Sequence, residues 1–314
     1  MSSQGEKALF CSTITPLDVD FSIDVEGLRN HLNRLVAARN GLWVASGGCG
    51  EAFQFSTSEC RVVYDTAVEV AQGRVPVIAV VRESRNAAAV CELASEARAA
   101  GVDGVHIYQV DGGHAMVPTE REQAAYFEEI LEFVDLPVTI GIHGFAGYVP
   151  SPTFMQNLCE KYEQIESISI MSITDYPYFF ELKDAVPSRI KFVCGAINVL
   201  QCFALGFDAV SMAPNNLIPW SSRHFVDSYN ARDLEEASRS LRFISHVHSL
   251  CLKAPFGIAR EVKSLLNAAG WGNGIVRPPL ESRCLDADYV QEQLNQLRKL
   301  GVIEAEAKFE SLMA

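Results

Sequence analysis

The chain has 314 residues, 48% of them hydrophobic and 21% charged, which suffices for one large α/β barrel or two average domains. A formal net charge of -13 argues against a surface for nucleic acid or acidic membranes. No apolar run is long enough to span a bilayer, and the start from Met1 to Lys7 is polar, so neither a membrane anchor nor a signal peptide is expected. Nine cysteines sit mostly in apolar segments and form no CxxC pair, which reads as reduced, cytoplasmic cysteines used as small hydrophobes.

Residues 8–16 are strand-like, and Asp24 opens an amphipathic helix with Leu28, Leu32, Leu35 and Val36 on one face. Leu42–Ser46 is the next strand and Thr57–Gln72 the next helix. Val75–Val81 and Gly104–Val110 are strands around a helix from about Arg85 to Ala100. Pro118-Thr119-Glu120 starts a helix reaching Phe133. Pro137–His143 and Ile165–Met171 are strands, separated by a helix from Ser151-Pro152 through Tyr162. Asp175 to Ala185 is helical, followed by strand Ile190–Gly195, a short helix around Leu200 and strand Ala209–Ala213. Eight alternations in the first 225 residues predict a TIM-type (β/α)8 barrel, with a doubly wound sheet as the competing architecture. Residues 226–314 predict a helical extension, with helices near 226–251, 255–269, 287–299 and 303–313, and a rigid turn over Trp271–Leu280.

The second strand ends in Gly47-Gly48-Cys49-Gly50-Glu51, where backbone amides are able to approach a ligand closely. Taken alone this is also what a tight strand-to-helix connection looks like. Four segments together say more: Thr15-Pro16-Leu17, Gly47–Glu51, Leu205–Ala209 through Asn216-Leu217-Ile218-Pro219, and Val262–Leu266 with Gly270 and Val276–Leu280. In order and spacing they resemble the dihydrodipicolinate synthase / N-acetylneuraminate lyase family. The resemblance implies a barrel with a C-terminal helical extension, a homo-oligomer built as a tetramer of two tight dimers, a small-molecule substrate and no separate cofactor.

The same resemblance implies a lysine on the sixth strand that forms an imine with a 2-oxo acid, a role suited to a desolvated amine. Here that strand reads Glu166-Ser167-Ile168-Ser169-Ile170-Met171-Ser172. Period-two alternation turns Ser167, Ser169 and Met171 inward, so the lysine maps to Ser169 or Met171. The family's proton-shuttling tyrosine falls at Gly141, its paired threonines at Gly48 and Cys49, and its PYY at Val110-Asp111-Gly112. The pocket is therefore expected to be either rebuilt or retired.

For a rebuilt site, His143 ends strand five and suits a general acid or base, unless it only bonds a neighbouring strand. Arg82 ends strand three, where a guanidinium is able to clamp a carboxylate or pair with a surface acid. Cys49 among flexible amides offers a nucleophile or a small replacement for threonine. On strand four either His106 and Tyr108 face inward or Gln109 does, and the pattern leaves this open. Tyr108 beside His143 and Arg82 would make a polar mouth. Gly48, Gly50, Arg82, Ser169, Met171, Gly195 and Ser211 complete the expected substrate-binding set. No catalytic metal is expected, because strands one and eight lack the histidine pair or acid that barrel metal sites add. The leading expectation is a lyase-type enzyme working on a small carboxylate- or carbonyl-containing substrate without a lysine imine. A non-catalytic small-acid-binding or partner-binding member, and a 2-oxo-acid aldolase with a relocated lysine, are the alternatives.

Overall fold

A computed structural model of the chain describes residues 5–81, 85–113, 116–171, 175–195, 198–252 and 257–313. Eight parallel strands close into a barrel in sequence order: β1 (Ala8–Ser12), β2 (Gly41–Val44), β3 (Val77–Val81), β4 (Gly104–Tyr108), β5 (Val138–His143), β6 (Ile165–Met171), β7 (Lys191–Cys194) and β8 (Ala209–Ser211). β8 returns to β1 with Ala8 opposite Ala209 and Phe10 opposite Ser211. The connecting helices are α1 (Val25–Ala37), α2 (Thr57–Ala71), α3 (Ala87–Ala100), α4 (Glu120–Phe133), α5 (Pro152–Lys161), α6 (Tyr176–Ala185), α7 (Val199–Leu205) and α8 (Pro219–Asn230). The (β/α)8 reading stands, and the doubly wound sheet does not.

Local chemistry sets the helix starts. Asp24 caps α1 by accepting from the Gly27 amide, and Ser56 with Glu59 forms a reciprocal capping box on α2, as Thr119 with Glu122 does on α4. Each strand is covered on both faces, which explains its nearly continuous apolar character. Side chains pointing outward, such as Ile168 and Ile170, join the main core under the helices. Those pointing inward form a separate cluster of Trp43, Val80, Val193 and Ala209, with Phe10, Ile78, Tyr108 and Met171 packed on it.

One expected helix divides. Residues 226–251 belong to α8 and to α9 (Leu234–Cys251), because Arg232 takes a left-handed φ of 63° and Asp233 caps a new start by accepting from Glu236. α8 thus runs across residue 225 and completes the eighth β/α unit. Beyond it lie α10 (Ile258–Ala268), α11 (Ala287–Leu300) and α12 (Val302–Met313). Buried charges fasten this extension to the barrel. Lys263 of α10 pairs with Glu51, whose other oxygen accepts from the Arg277 amide at 3.2 Å. Glu306 of α12 accepts from the Trp220 and Ser221 amides, at 3.1 and 2.9 Å, and meets Arg34 of α1 at 3.5 Å.

Candidate active site at the barrel mouth

The inward faces of β4, β5 and β6 are polar, and the structure settles which residues of β4 occupy them. His106 and Tyr108 turn into the barrel; Gln109 instead spans the loop above, donating to the Tyr148 carbonyl and accepting from the His143 amide. His106 is fully buried, with Nε2 2.6 Å from the Ser169 hydroxyl. One step lower, Thr139 and Ser167 join their hydroxyls at 2.6 Å. Rings then climb through the barrel. Phe10 and Trp43 lie 5.8 Å apart between centroids, Trp43 and His106 4.7 Å, His106 and Tyr108 4.5 Å, and Tyr108 and His143 5.9 Å.

Gly141 makes this possible. A Cβ at that position would lie 2.4 Å from His106 Cε1 and 2.8 Å from Tyr108 Cδ1, so any side chain on residue 141 competes for the space the two rings hold. The space beside Gly141 is filled by side chains of the adjacent strand β4.

Burial keeps both histidines neutral. His106 is pushed down to about 3, first by desolvation and then by His143, and desolvation takes His143 down to about 4. At neutral pH His143 therefore stands at the mouth as an uncharged imidazole able to accept a proton. Next to it in register is Met171, and across the gap from Met171 is Gly195; a Cβ on Gly195 would come within 3.2 Å of Met171 Sδ. Ser211 is buried on β8, opposite Phe10, at the far side of the barrel from His143.

The glycine loop after β2 is braced from below. Ser12 donates to the Ser46 hydroxyl at 3.1 Å, and the Gly50 amide donates to the same hydroxyl at 3.1 Å. Gly50 is thus committed within the protein and does not offer its amide to a ligand. Its lack of a side chain is required, since a Cβ would sit 2.7 Å from the Ser46 nitrogen. Gly48 faces open space and is exposed. The Cys49 thiol is buried and pushed up to about 11 by desolvation, against a smaller opposite pull from the Ser12 hydroxyl. It stays a thiol at neutral pH, which fits a small residue filling space rather than a thiolate nucleophile.

The structure brings Tyr108, His143, Met171 and Gly195 together at one mouth, while Gly48 and Cys49 follow β2, with β3 between them and β4. Ser169 lies lower and is occupied by His106. Arg82 lies outside the described residues. Among the described residues no three His, Cys, Asp or Glu side chains are placed to hold a metal ion. Sequence reasoning missed Trp43 and the engagement of His106 with Ser169. The available signal was the inward parity of Trp43 and the bare Gly141 opposite β4.

Comparison with known proteins bears on this geometry. The model of the "Dihydrodipicolinate synthetase family" matches residues 6–298. The Methylobacterium radiotolerans protein named "Probable 5-dehydro-4-deoxyglucarate dehydratase" is 28% identical over 276 residues, covering 85% of this chain and 87% of that protein. The 4-hydroxy-tetrahydrodipicolinate synthase of Pediococcus pentosaceus is 26% identical over 298 residues, covering 94% and 95%. In fold, the crystal structure of dihydrodipicolinate synthase from Aquifex aeolicus superposes with a TM-score of 0.84 at 20% identity, covering 94% of this chain and 98% of that one. With a match over nearly its whole length and a closed eight-stranded barrel beneath it, this chain belongs to the dihydrodipicolinate synthetase family.

Proposed function

We propose that the protein is a lyase-type enzyme that acts on a small carboxylate- or carbonyl-containing substrate at the barrel mouth without a lysine imine. His143 is its acid/base group, and Tyr108 flanks the substrate. The observation that carries this is the pairing of Tyr108 with a neutral His143 at the C-terminal ends of adjacent strands, where barrel chemistry is done. The curated relatives named above are a dehydratase and a synthase, which supports carbon–oxygen or carbon–carbon bond chemistry.

The lysines support the absence of an imine. Of eight in the chain, Lys253 lies outside the described residues. Lys7 precedes β1 and Lys191 begins β7, both at the barrel end opposite the mouth; Lys161, Lys183, Lys299 and Lys308 lie on α5, α6, α11 and α12. Lys263 is held by Glu51 and by the Ile275 carbonyl. Starting with His143 as base, the chain's own part is to accept a proton next to the substrate's carbonyl or carboxylate. The Gly48 and Cys49 amides then face the negative charge that develops.

The test is a screen of 2-oxo acids and sugar acids for turnover, followed by His143→Gln on any substrate found. A loss of about 10²–10⁴-fold in kcat is expected for a general base; unchanged kcat removes His143 from the role. Borohydride trapping with pyruvate and intact-mass measurement is expected to give no adduct, whereas an adduct on Lys253 or Lys263 establishes the relocated-lysine aldolase instead. The occupied barrel interior favours a second reading, a binding member without turnover. Tight binding of a screened acid with no conversion supports that reading over the first.

A further inference from the structure

Outside the barrel, α1 and the segment from α10 to Gly274 enclose a cavity of about 390 Å³. That volume falls within the usual range for small-ligand sites. Nothing in the mouth chemistry uses it.

Its polar groups are ordered along α1. Asp24, Gly27, His31 and Arg34 share one face of the helix and line the cavity. The ten-residue step from Asp24 to Arg34 sets their Cα atoms roughly 15 Å apart along the axis, and because helical side chains lean toward the N-terminus the long arginine shortens the gap between its guanidinium and the acid. At the Arg34 end stand two cationic side chains, Arg34 and Lys263, and the neutral imidazole of His31. The Arg34 guanidinium lies over the Trp271 ring at 4.0 Å and donates to the Asn216 and Leu217 carbonyls. Lys263 gives two of its three protons to Glu51 and the Ile275 carbonyl. His31 Nε2 is 2.9 Å from Asn216 Oδ1, an oxygen that also accepts from the Ile14 amide; Nε2 therefore carries the proton and Nδ1 is left as an acceptor. At the other end the Asp24 carboxylate uses one oxygen to cap the helix, with the second only 3.5 Å from Asn273 Nδ2. Ile14, Pro16 and Leu266 supply apolar wall between the two ends.

We infer that this cavity is a second small-molecule site, for a short carboxylic acid that carries a hydroxyl or amino group at its far end. The carboxylate faces the protons that Lys263 and Arg34 have to spare, the carbon chain lies on Ile14, Pro16 and Leu266, and the distal donor faces Asp24. The site touches segments that also support the mouth. Lys263 holds Glu51, next to Gly50, and His31 holds Asn216, which donates to the Ser12 carbonyl at 2.8 Å.

Gly272 allows a clean test. Its φ lies outside the left-handed region, and a Cβ there meets only Leu266 Cβ at 3.6 Å, so Gly272→Leu fills the cavity without straining the backbone. Butyrate, 4-hydroxybutyrate and 4-aminobutyrate are titrated by calorimetry into the full chain, with Trp271 fluorescence as a second readout. The two donor-bearing acids are expected to bind more tightly than butyrate, and Gly272→Leu to weaken them about tenfold or more with an unchanged melting temperature. Should that variant melt early, Asp24→Asn replaces it. Asparagine keeps the helix cap while removing the charge, and is expected to abolish the preference of 4-aminobutyrate over butyrate. Binding that neither variant alters, or no heat and no fluorescence change with any of the three acids, overturns the inference. Because the readout is binding to the cavity, it stands whether or not the mouth turns over a substrate.

Discussion

Two buried polar regions of this barrel are built on opposite principles. Where α10 meets the glycine loop, the contacts are ionic: Lys263 on Glu51, with the Arg277 amide and guanidinium on Glu51 and Glu59. Inside the barrel at β4–β6 they are neutral: imidazole on hydroxyl, hydroxyl on hydroxyl, ring on ring. A buried ion pair is strongly destabilising to break from one side, because the remaining charge has no compensation. A neutral hydrogen bond is worth about 1 kcal/mol net, and a buried neutral group left without its partner costs about 1–3 kcal/mol, less than a stranded charge. The contrast teaches where such a scaffold is able to change its chemistry. The ionic joint fixes the extension, while the interior of the barrel accepts new residues.

Removing one partner of the joint is the hardest test of this contrast. Lys263→Met leaves the Glu51 carboxylate buried and is expected to cost about 3–5 kcal/mol in urea unfolding. Lys263→Met with Glu51→Gln should recover part of that loss. Equal stability of the wild type and the single variant would end the claim that the joint fixes the extension. Acid acts next, and on the neutral interior. His106 and His143 are held near 3 and 4 by burial, below the value near 6.5 of an unfolded chain. The unfolded state therefore binds more protons, and stability falls as pH drops below 6.5, until each group titrates in the folded state. Between pH 7 and pH 5 these two should remove about 4 kcal/mol, and His106→Gln should take away roughly half of that loss, leaving the shares of His143 and of His31 on α1.

The segments that meet in the ionic joint were legible in the sequence, though not the pairing of Lys263 with Glu51, and the neutral interior was only partly so. Gly47–Glu51, Val262–Leu266 and Val276–Leu280 are motifs, and the alternating pattern gave every strand to within a few residues. Strand six shows how far period-two reasoning reaches, since Ser169 and Met171 do turn inward as expected. Strand four shows where it stops. Ile107 and Val105 are apolar, but so in part are His106 and Tyr108, and with both faces buried no polar-out pattern remains to set the parity. What decides it is Gly141 on the next strand, a contact across the sheet that one-dimensional spacing does not contain. The break at 231–233 was missed for a related reason. Asp233 competes as an N-cap inside a run that reads as continuously helical, and the left-handed Arg232 carries no glycine to announce it.

Gly141→Ala tests that cross-strand contact directly. The added methyl meets two rings at once, and overpacking of this kind costs about 1–3 kcal/mol. His106→Ala in the same chain should relieve part of the loss, giving a favourable coupling in a double-mutant cycle. Additive losses would mean that Gly141 is not what admits the rings.

The smallest expected effect on stability, and the most informative on chemistry, comes from returning an amine to the neutral region. Met171 is half-buried at the mouth, in register with His143 and beside Gly195. Met171→Lys replaces one flexible side chain with another of similar length, so a cost of about 1 kcal/mol is expected. The partly desolvated amine next to a neutral imidazole should lose affinity for its proton and become nucleophilic. Incubated with pyruvate and borohydride, the variant is expected to gain one adduct by intact mass, located on residue 171 by peptide mapping, while the wild type gains none. An adduct on the variant alone shows that the interior still has the shape of a carbonyl site and lacks only the amine. If neither protein is modified, the rings of Trp43, His106 and Tyr108 have closed the space as well as changed its chemistry, and the binding reading of the mouth gains over the catalytic one.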